Sequence, residues 1–489
     1  MIIKHTFYNL AGLGLPLLAA IFSIPILISE LGIERFGLLT LIWAIVSYFG
    51  LFDMGLGRAL TRELADVFDQ EKDELIGPLV MTALVIMTGL GVVAGLLMVA
   101  LAPWGIALVK GVPDQQEAIN AVYVMALAMP FIVLTACFRG ILEAKQAFGI
   151  LNLIRLPMGL FTFLGPLAVV LYGQPRLDWI SLVLVAGRIL GCVFHAWPAW
   201  LLIPRNHGPL RVHTYLIKSL SVSGGWMTVS NIISPFMGFI DRFLLGFLVS
   251  ANAVTYYVTP QELVTKLSII PGSLTAVLFP IFSAKKTIHD GQMWLLLKLA
   301  VNCLFLVLLP LTVSIALFAN ELLTLWINKD FADQSAIYMQ IFAVGVLINS
   351  LSQIAFTLIQ SYGKSRVTAI VHLVELPLFV ITVCMLTLFY GGFGALIAWF
   401  LRIALDAVLM FTQCSRMLFQ PIKDLFSHKV LGFLLLALIE FSGILIESIT
   451  GRLLWTILIT IVSTLLIMVL RKNCAINSLN YLFLTKRRM

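Results

Sequence analysis

Residues 50–64 read GLFDMGLGRALTREL, and the way this segment ends decides how the chain is to be read. An aromatic and apolar run meets Asp53, two small-residue steps follow, and the segment closes on Arg58, Arg62 and Glu63. That order makes sense if a helix buried in hydrocarbon leaves it here, with its cations marking the water boundary.

Composition extends the reading to the whole chain. Of the 489 residues 60% are hydrophobic and only 11% are Asp, Glu, Lys or Arg. The mean hydropathy is +1.02. Soluble globular chains are not built this way. Runs of about eighteen nearly uncharged residues recur from end to end, each long enough to cross roughly 30 Å of hydrocarbon as a helix. The first, 9–31, is too long for the apolar core of a signal peptide and reads as an uncleaved helix. Six cysteines are scattered singly with no CxxC pair, as expected of packing residues rather than a disulfide framework or a metal site.

Apolar runs broken by charge, Gly/Pro or polar clusters give about fourteen spans. They lie near 9–31, 36–57, 79–102, 118–139, 150–172, 179–203, 219–248, 253–283, 293–318, 335–361, 367–390, 393–415, 430–448 and 452–470. Connections are short, which leaves no room for an extramembrane domain. With the N-terminus inside, about 22 of the 32 Lys and Arg fall in inner loops and tails, Arg139 and Lys145 among them, and about five outside, Arg35 among them. Both termini are then cytoplasmic. The formal net charge of +8 is largely this bias and does not imply nucleic acid.

Between the second and third spans, Leu60, Leu64 and Phe68 recur at i, i+4, i+8 with charges between them. The stripe fits a helix along the membrane surface or a solvated helical linker. A weak repeat, about 220 residues apart, links FYNLAGLGLPLLAAIFSIPILISELGIERFGLL from Phe7 to LSVSGGWMTVSNIISPFMGFIDRFLLGFLVSANAVTYY from Leu220. Both start from the cytoplasm, so the repeats are parallel, as in two six-helix halves facing one cavity. The expected fold is an all-α membrane protein with two pseudo-symmetric six-helix lobes around a central cavity plus two C-terminal helices. The domains are 1–205, 206–425, and 426–489 with a basic cytoplasmic tail.

The first helix, PILISELGIERFGLLTL and GLFDMGLGRALTRELA together resemble the polysaccharide-transport branch of the MOP flippase superfamily, which contains the Wzx-type oligosaccharide flippases. The close match covers roughly residues 7–66. The resemblance implies alternating access in a bacterial plasma membrane. It also implies a substrate of undecaprenyl-diphosphate-linked oligosaccharide, moved from the inner to the outer leaflet for surface polysaccharide synthesis. A polymerase that uses the product is a partner the sequence leaves open.

Five cations remain within spans: Arg155, Arg188, Arg242, Lys266 and Arg402. Each costs about 2.5–3.5 kcal/mol at the bilayer centre on insertion scales, so each is a candidate substrate ligand. The acids at membrane depth include Asp53, Asp241, Glu262, Glu375, Asp406 and Glu440. Asp53, Glu262, Glu375 and Asp406 are the coupling or gating candidates. Glu262 with Lys266 and Arg402 with Asp406 are i, i+4 couples that can pair on one helix face. Asp241 and Arg242 lie near an outer helix end, where either can reach water. Arg155 and Arg188 have no acid nearby on their own helices. Guanidinium binds phosphate through two parallel hydrogen bonds, so a cavity for a lipid diphosphate needs unpaired arginine. Alternatively, each arginine pairs with an acid such as Glu375 or Asp53. Trp43, Tyr48, Trp226, Tyr256 and Tyr257 are candidates for sugar stacking or for packing. His195 and His372 read as packing residues.

No catalytic constellation, metal-ligand spacing or cofactor motif is present. GKS at 363–365 lacks the glycine a P-loop needs five residues earlier, where Leu358 stands. The expectation is a transporter, not an enzyme. Two rivals keep the fold: a cation-coupled multidrug or organic-cation exporter of the same superfamily, and a peptidoglycan lipid precursor flippase. The first would want unpaired acids within a lobe, and the first helix has none between Asn9 and Ser29.

Overall fold

The computed structural model describes residues 2–49, 56–70, 72–204, 208–213, 225–283, 290–421, 441–446 and 448–473. The described chain is nearly all helix, with no strand among the described residues. Ten of its helices are long and apolar enough to cross a membrane. The expected span at 430–448 lies almost wholly outside the described residues, as do Asp53 and Glu440.

In chain order the helices are α1 (Ile2–Phe49), α2 (Leu56–Asp69), α3 (Ile76–Leu108), α4 (Gln115–Ala126), α5 (Met129–Ala144), α6 (Phe148–Tyr172), α7 (Leu177–Leu202) and α8 (Gly225–Leu248). There follow α9 (Ala251–Thr265), α10 (Ile269–Ser283), α11 (Asp290–Leu317), α12 (Ala319–Trp326), α13 (Lys329–Ser361), α14 (Ser365–Met417) and α15 (Ile449–Asn473). Two of them hold a sharp corner. At Gly32 (φ 80°) in α1 and Gly391 (φ 57°) in α14 the backbone leaves the helical region, so each run is two helices joined at one residue. A positive φ of this kind costs a side-chain-bearing residue about 1 kcal/mol or more, which explains glycine at both corners. The corners fall in the gaps the hydropathy predicted, after 31 and after 390.

Packing divides the chain into two units, Met1–Val258 with His372–Ala395, and Thr259–Val371 with Leu396–Met489. In the first, α2 joins α3 and α5 around Leu60, Leu64, Ile76, Val80, Met87, Cys137 and Ile141, all buried. The apolar stripe read from the sequence is therefore covered by protein, while Arg62, Asp66 and Asp69 stay exposed. Lys145 Nζ closes the edge, 3.6 Å above the Phe68 ring. A Cβ on Gly140 of α5 would meet Gly57 O at 2.9 Å, so the small residues at the end of the opening stretch let these helices touch. Each leucine of the stripe contributes roughly 1.5–3 kcal/mol by leaving water.

Glu117 fastens the opposite end of this unit. It is 3% exposed, and its Oε2 accepts from Arg35 Nη2 at 2.8 Å and Nε at 3.0 Å. Its Oε1 accepts from the backbone N–H of Leu177 at 2.7 Å. One carboxylate thus ties the second half of α1 to the start of α4 and of α7. Asp114 caps α4 by accepting from Glu117 N at 3.0 Å.

The second unit has its own core, in which Leu297, Leu306, Leu309 and Val313 of α11 meet Ile354 and Leu358 of α13 and Met410 and Cys414 of α14. Phe342 and Trp399 pack edge to face at 4.8 Å. Arg452 of α15 donates to Leu317 O at 2.7 Å and pairs with Glu321 at 2.6 Å. The described cysteines form no disulfide.

Candidate functional site

Three consecutive helices of the first unit, α5, α6 and α7, enclose a cavity of about 760 Å³. Two short connections make them antiparallel neighbours. At the first, Gln146 takes a positive φ of 55° and Ala147 N donates to Leu142 O at 2.8 Å. At the second, Gly173 N donates to Val169 O at 2.8 Å. Arg176 then pairs with Asp178 at 2.7 Å.

Each helix brings a polar stripe to the cavity. Thr135, Arg139 and Glu143 lie at i, i+4, i+8 on α5. From α6 come Asn152, Arg155, Gly159 and Thr162, and from α7 Arg188 and His195 at i, i+7. A smaller hollow of about 180 Å³ continues the cavity along Gly187, Arg188 and Gly191 toward Phe161 and Leu184. The close approach of α6 and α7 depends on those glycines. A Cβ on Gly187 would sit 2.5 Å from the Phe161 ring, and one on Gly191 2.9 Å from Met158 Sδ. With both sites empty of side chain, Phe161 and Met158 fill the seam, and Arg188, half-buried, and His195, buried with 9% of its surface exposed, line the cavity beside it.

The wall carries three guanidiniums against one carboxylate. Arg139 and Glu143 form an i, i+4 pair at 3.4 Å with both side chains well exposed, an arrangement of little energetic weight. Arg155 and Arg188 have no ion pair or hydrogen bond among the described residues. Arg188 stands eleven residues into α7, about 16 Å along the axis, and Arg155 seven residues into α6, about 10 Å. The site therefore holds an excess of positive charge at membrane depth, facing a space large enough for a headgroup.

Of the five in-span cations, the structure brings together Arg155 and Arg188 at this cavity. Arg242 is buried instead: its backbone N–H donates to Asp241 Oδ1 at 2.9 Å and its guanidinium carbon lies 5.2 Å from the centre of the Phe239 ring. Asp241 is fully buried and accepts from Tyr257 Oη at 2.7 Å, so neither residue reaches water as the sequence reading allowed. Lys266 and Glu262 do pair, at 3.1 Å, both more than a third exposed. Arg402 is half-buried, and Asp406 accepts from Ser352 Oγ at 2.8 Å. Glu375 is fully buried. Trp43 packs edge-on between Phe36 at 6.2 Å and Phe163 at 5.5 Å, and Tyr257 is buried on Asp241, so both serve packing. Tyr256 is half-buried. The side chains of Tyr48 and Trp226 lie outside the described residues.

The sequence reading counted Arg139 among the inner-surface cations and set His195 aside as packing; the structure places both on the cavity wall, His195 buried and bonded to Gly191 O. The available signal was the shared face: Thr135, Arg139 and Glu143 on one helix, and Gly187, Arg188, Gly191 and His195 on another.

The family profile described as polysaccharide biosynthesis protein matches residues 2–286, which include every residue of the cavity. The chain belongs to the polysaccharide biosynthesis protein family. A Shigella flexneri protein named "Putative O-antigen transporter" is 30% identical over 416 residues, covering 85% of this chain and 98% of that one. Solved structures share the fold, among them two transporters. An inward-facing multidrug resistance MATE family transporter of the MOP superfamily matches with a TM-score of 0.70 at 16% identity, over 86% of this chain and 96% of its own. The lipid II flippase MurJ in an inward closed conformation matches with 0.69 at 14%, over 94% and 97%. By sequence the chain belongs with this family and its O-antigen transporter relative, by fold it resembles transporters of the MOP superfamily, and its relatives are transporters rather than enzymes.

Proposed function

We propose that the protein flips a lipid-linked oligosaccharide, a glycan on undecaprenyl diphosphate, from the inner to the outer leaflet of a bacterial plasma membrane by alternating access. The observation that carries this reading is the pair Arg155 and Arg188, without acidic partners among the described residues, on one cavity with Arg139. A diphosphate diester has two fixed negative charges, and each guanidinium offers it a two-pronged hydrogen bond with less loss of hydration than an ammonium would. A site for organic cations would need the reverse polarity. In this account the diphosphate engages the arginines, the glycan crosses in the aqueous lumen and the polyprenyl tail stays in lipid. The two six-helix lobes (1–205 and 206–425), the C-terminal helix pair and cytoplasmic termini belong to the same proposal. Lys266, Arg402 and Arg242 are secondary candidates for the anion, and Asp53, Glu262, Glu375 and Asp406 for coupling.

Gene deletion with plasmid rescue tests it. Cells lacking the protein are expected to lose surface glycan and to accumulate lipid-linked repeat units facing the cytoplasm. The wild-type gene restores the glycan, Arg188→Lys restores part of it, and Arg188→Ala restores little. Unchanged surface glycan together with altered resistance to cationic dyes would instead favour an exporter.

A further inference from the structure

His195 shares a face of α7 with Arg188, two turns away, and lines the same cavity. Its Nδ1 lies 2.7 Å from Gly191 O. A carbonyl oxygen only accepts, so Nδ1 must be the nitrogen that carries the proton. Nε2 is then the free position, and the ring has no second hydrogen-bond partner among the described residues. On the neutral ring Nε2 offers a lone pair, which a fully ionised phosphate oxygen cannot use. On the imidazolium it is a charged donor.

The surrounding charges set the condition for that switch. From α5 the cavity receives Arg139 and Glu143, from α6 Arg155, and from α7 itself Arg188. The only charged residue of α4 is Glu117, which binds Leu177 N eighteen residues from His195, roughly 27 Å along α7. Cys137 and Cys192 are buried in the helix packing. With the cavity empty, a fourth positive charge is opposed by three others. An anion bearing two negative charges reverses this, so anion and proton each favour the binding of the other.

We propose that His195 is a binding residue of the cavity and engages the diphosphate only as imidazolium, so that a proton enters the site with each anion. The inference rests on the diphosphate reading of the site and adds to it a residue and a stoichiometry.

The test uses the full chain in lipid nanodiscs and a citronellyl diphosphate-linked N-acetylglucosamine, a diester whose own charge is constant between pH 5 and 9. Titration calorimetry near neutral pH in two buffers of different ionisation enthalpy is expected to show up to one proton taken up per probe bound. Affinity should fall by tenfold or more from pH 5.5 to pH 8 as the imidazolium is lost. His195→Gln should bind at all pH values about as the wild type does at pH 8, and His195→Lys should bind tightly throughout. Arg188→Ala should bind weakly at every pH. Arg188-dependent binding with no proton uptake and a flat pH profile would overturn the role of His195 and leave the diphosphate site standing. Binding that is absent, or unaffected by Arg188→Ala, would overturn both.

Discussion

Gly187 has no side chain, yet it sets the width of the seam beside Arg188. An alanine there would bring Cβ to 2.5 Å from the Phe161 ring, so α6 and α7 would have to part or the ring would have to leave its rotamer. Overpacking of this kind costs about 1–3 kcal/mol. Gly187→Ala is therefore expected to lower the unfolding midpoint in detergent, and Phe161→Leu in the same chain to recover part of the loss. Purely additive effects in that double-mutant cycle would show that the two residues do not meet. At this scale the sequence was informative where a residue broke its surroundings. Arg155 and Arg188 stood out because a cation inside an apolar run is costly. Arg139, five residues from the end of α5, had a cheaper explanation at the membrane boundary, and His195 needed its neighbours before it meant anything.

Elements were legible in proportion to how much of their shape is local. The corners at Gly32 and Gly391 coincide with breaks in hydropathy because a residue with no Cβ both interrupts the pattern and permits the positive φ. The stripe Leu60, Leu64, Phe68 announced a helix with one apolar face, but period alone does not say what covers it. The cover is α3 and α5, and its consequence is testable. Leu64→Ala should cost about 2–5 kcal/mol, because it opens a void among side chains that cannot fully collapse. Proteolysis within residues 56–69 should accelerate accordingly, whereas Arg62→Ala, on the exposed face, should change it little. If α2 lay on lipid instead, the two substitutions would differ far less in detergent.

For the whole molecule, hydropathy gave the membrane class and the positions of most spans, since a membrane-crossing helix is written in about twenty consecutive residues, whereas the transporter fold was read from the weak repeat and the resemblance over residues 7–66. Which helices meet was not written in any one stretch. Arg139, Arg155 and Arg188 come from three separate helices, and only the antiparallel stacking of α5, α6 and α7 makes them one site. Whether that site carries its cargo is decided most directly in proteoliposomes loaded with undecaprenyl-diphosphate oligosaccharide, by following how fast inner-leaflet glycan becomes accessible to an added glycosidase. The account predicts rapid exposure with the wild-type protein, an intermediate rate with Arg188→Lys, and with a folded Arg188→Ala a rate at least tenfold lower, a loss of about 1.4 kcal/mol or more of stabilisation. Wild-type rates from Arg188→Ala and from the Arg155→Ala, Arg188→Ala double variant would contradict it.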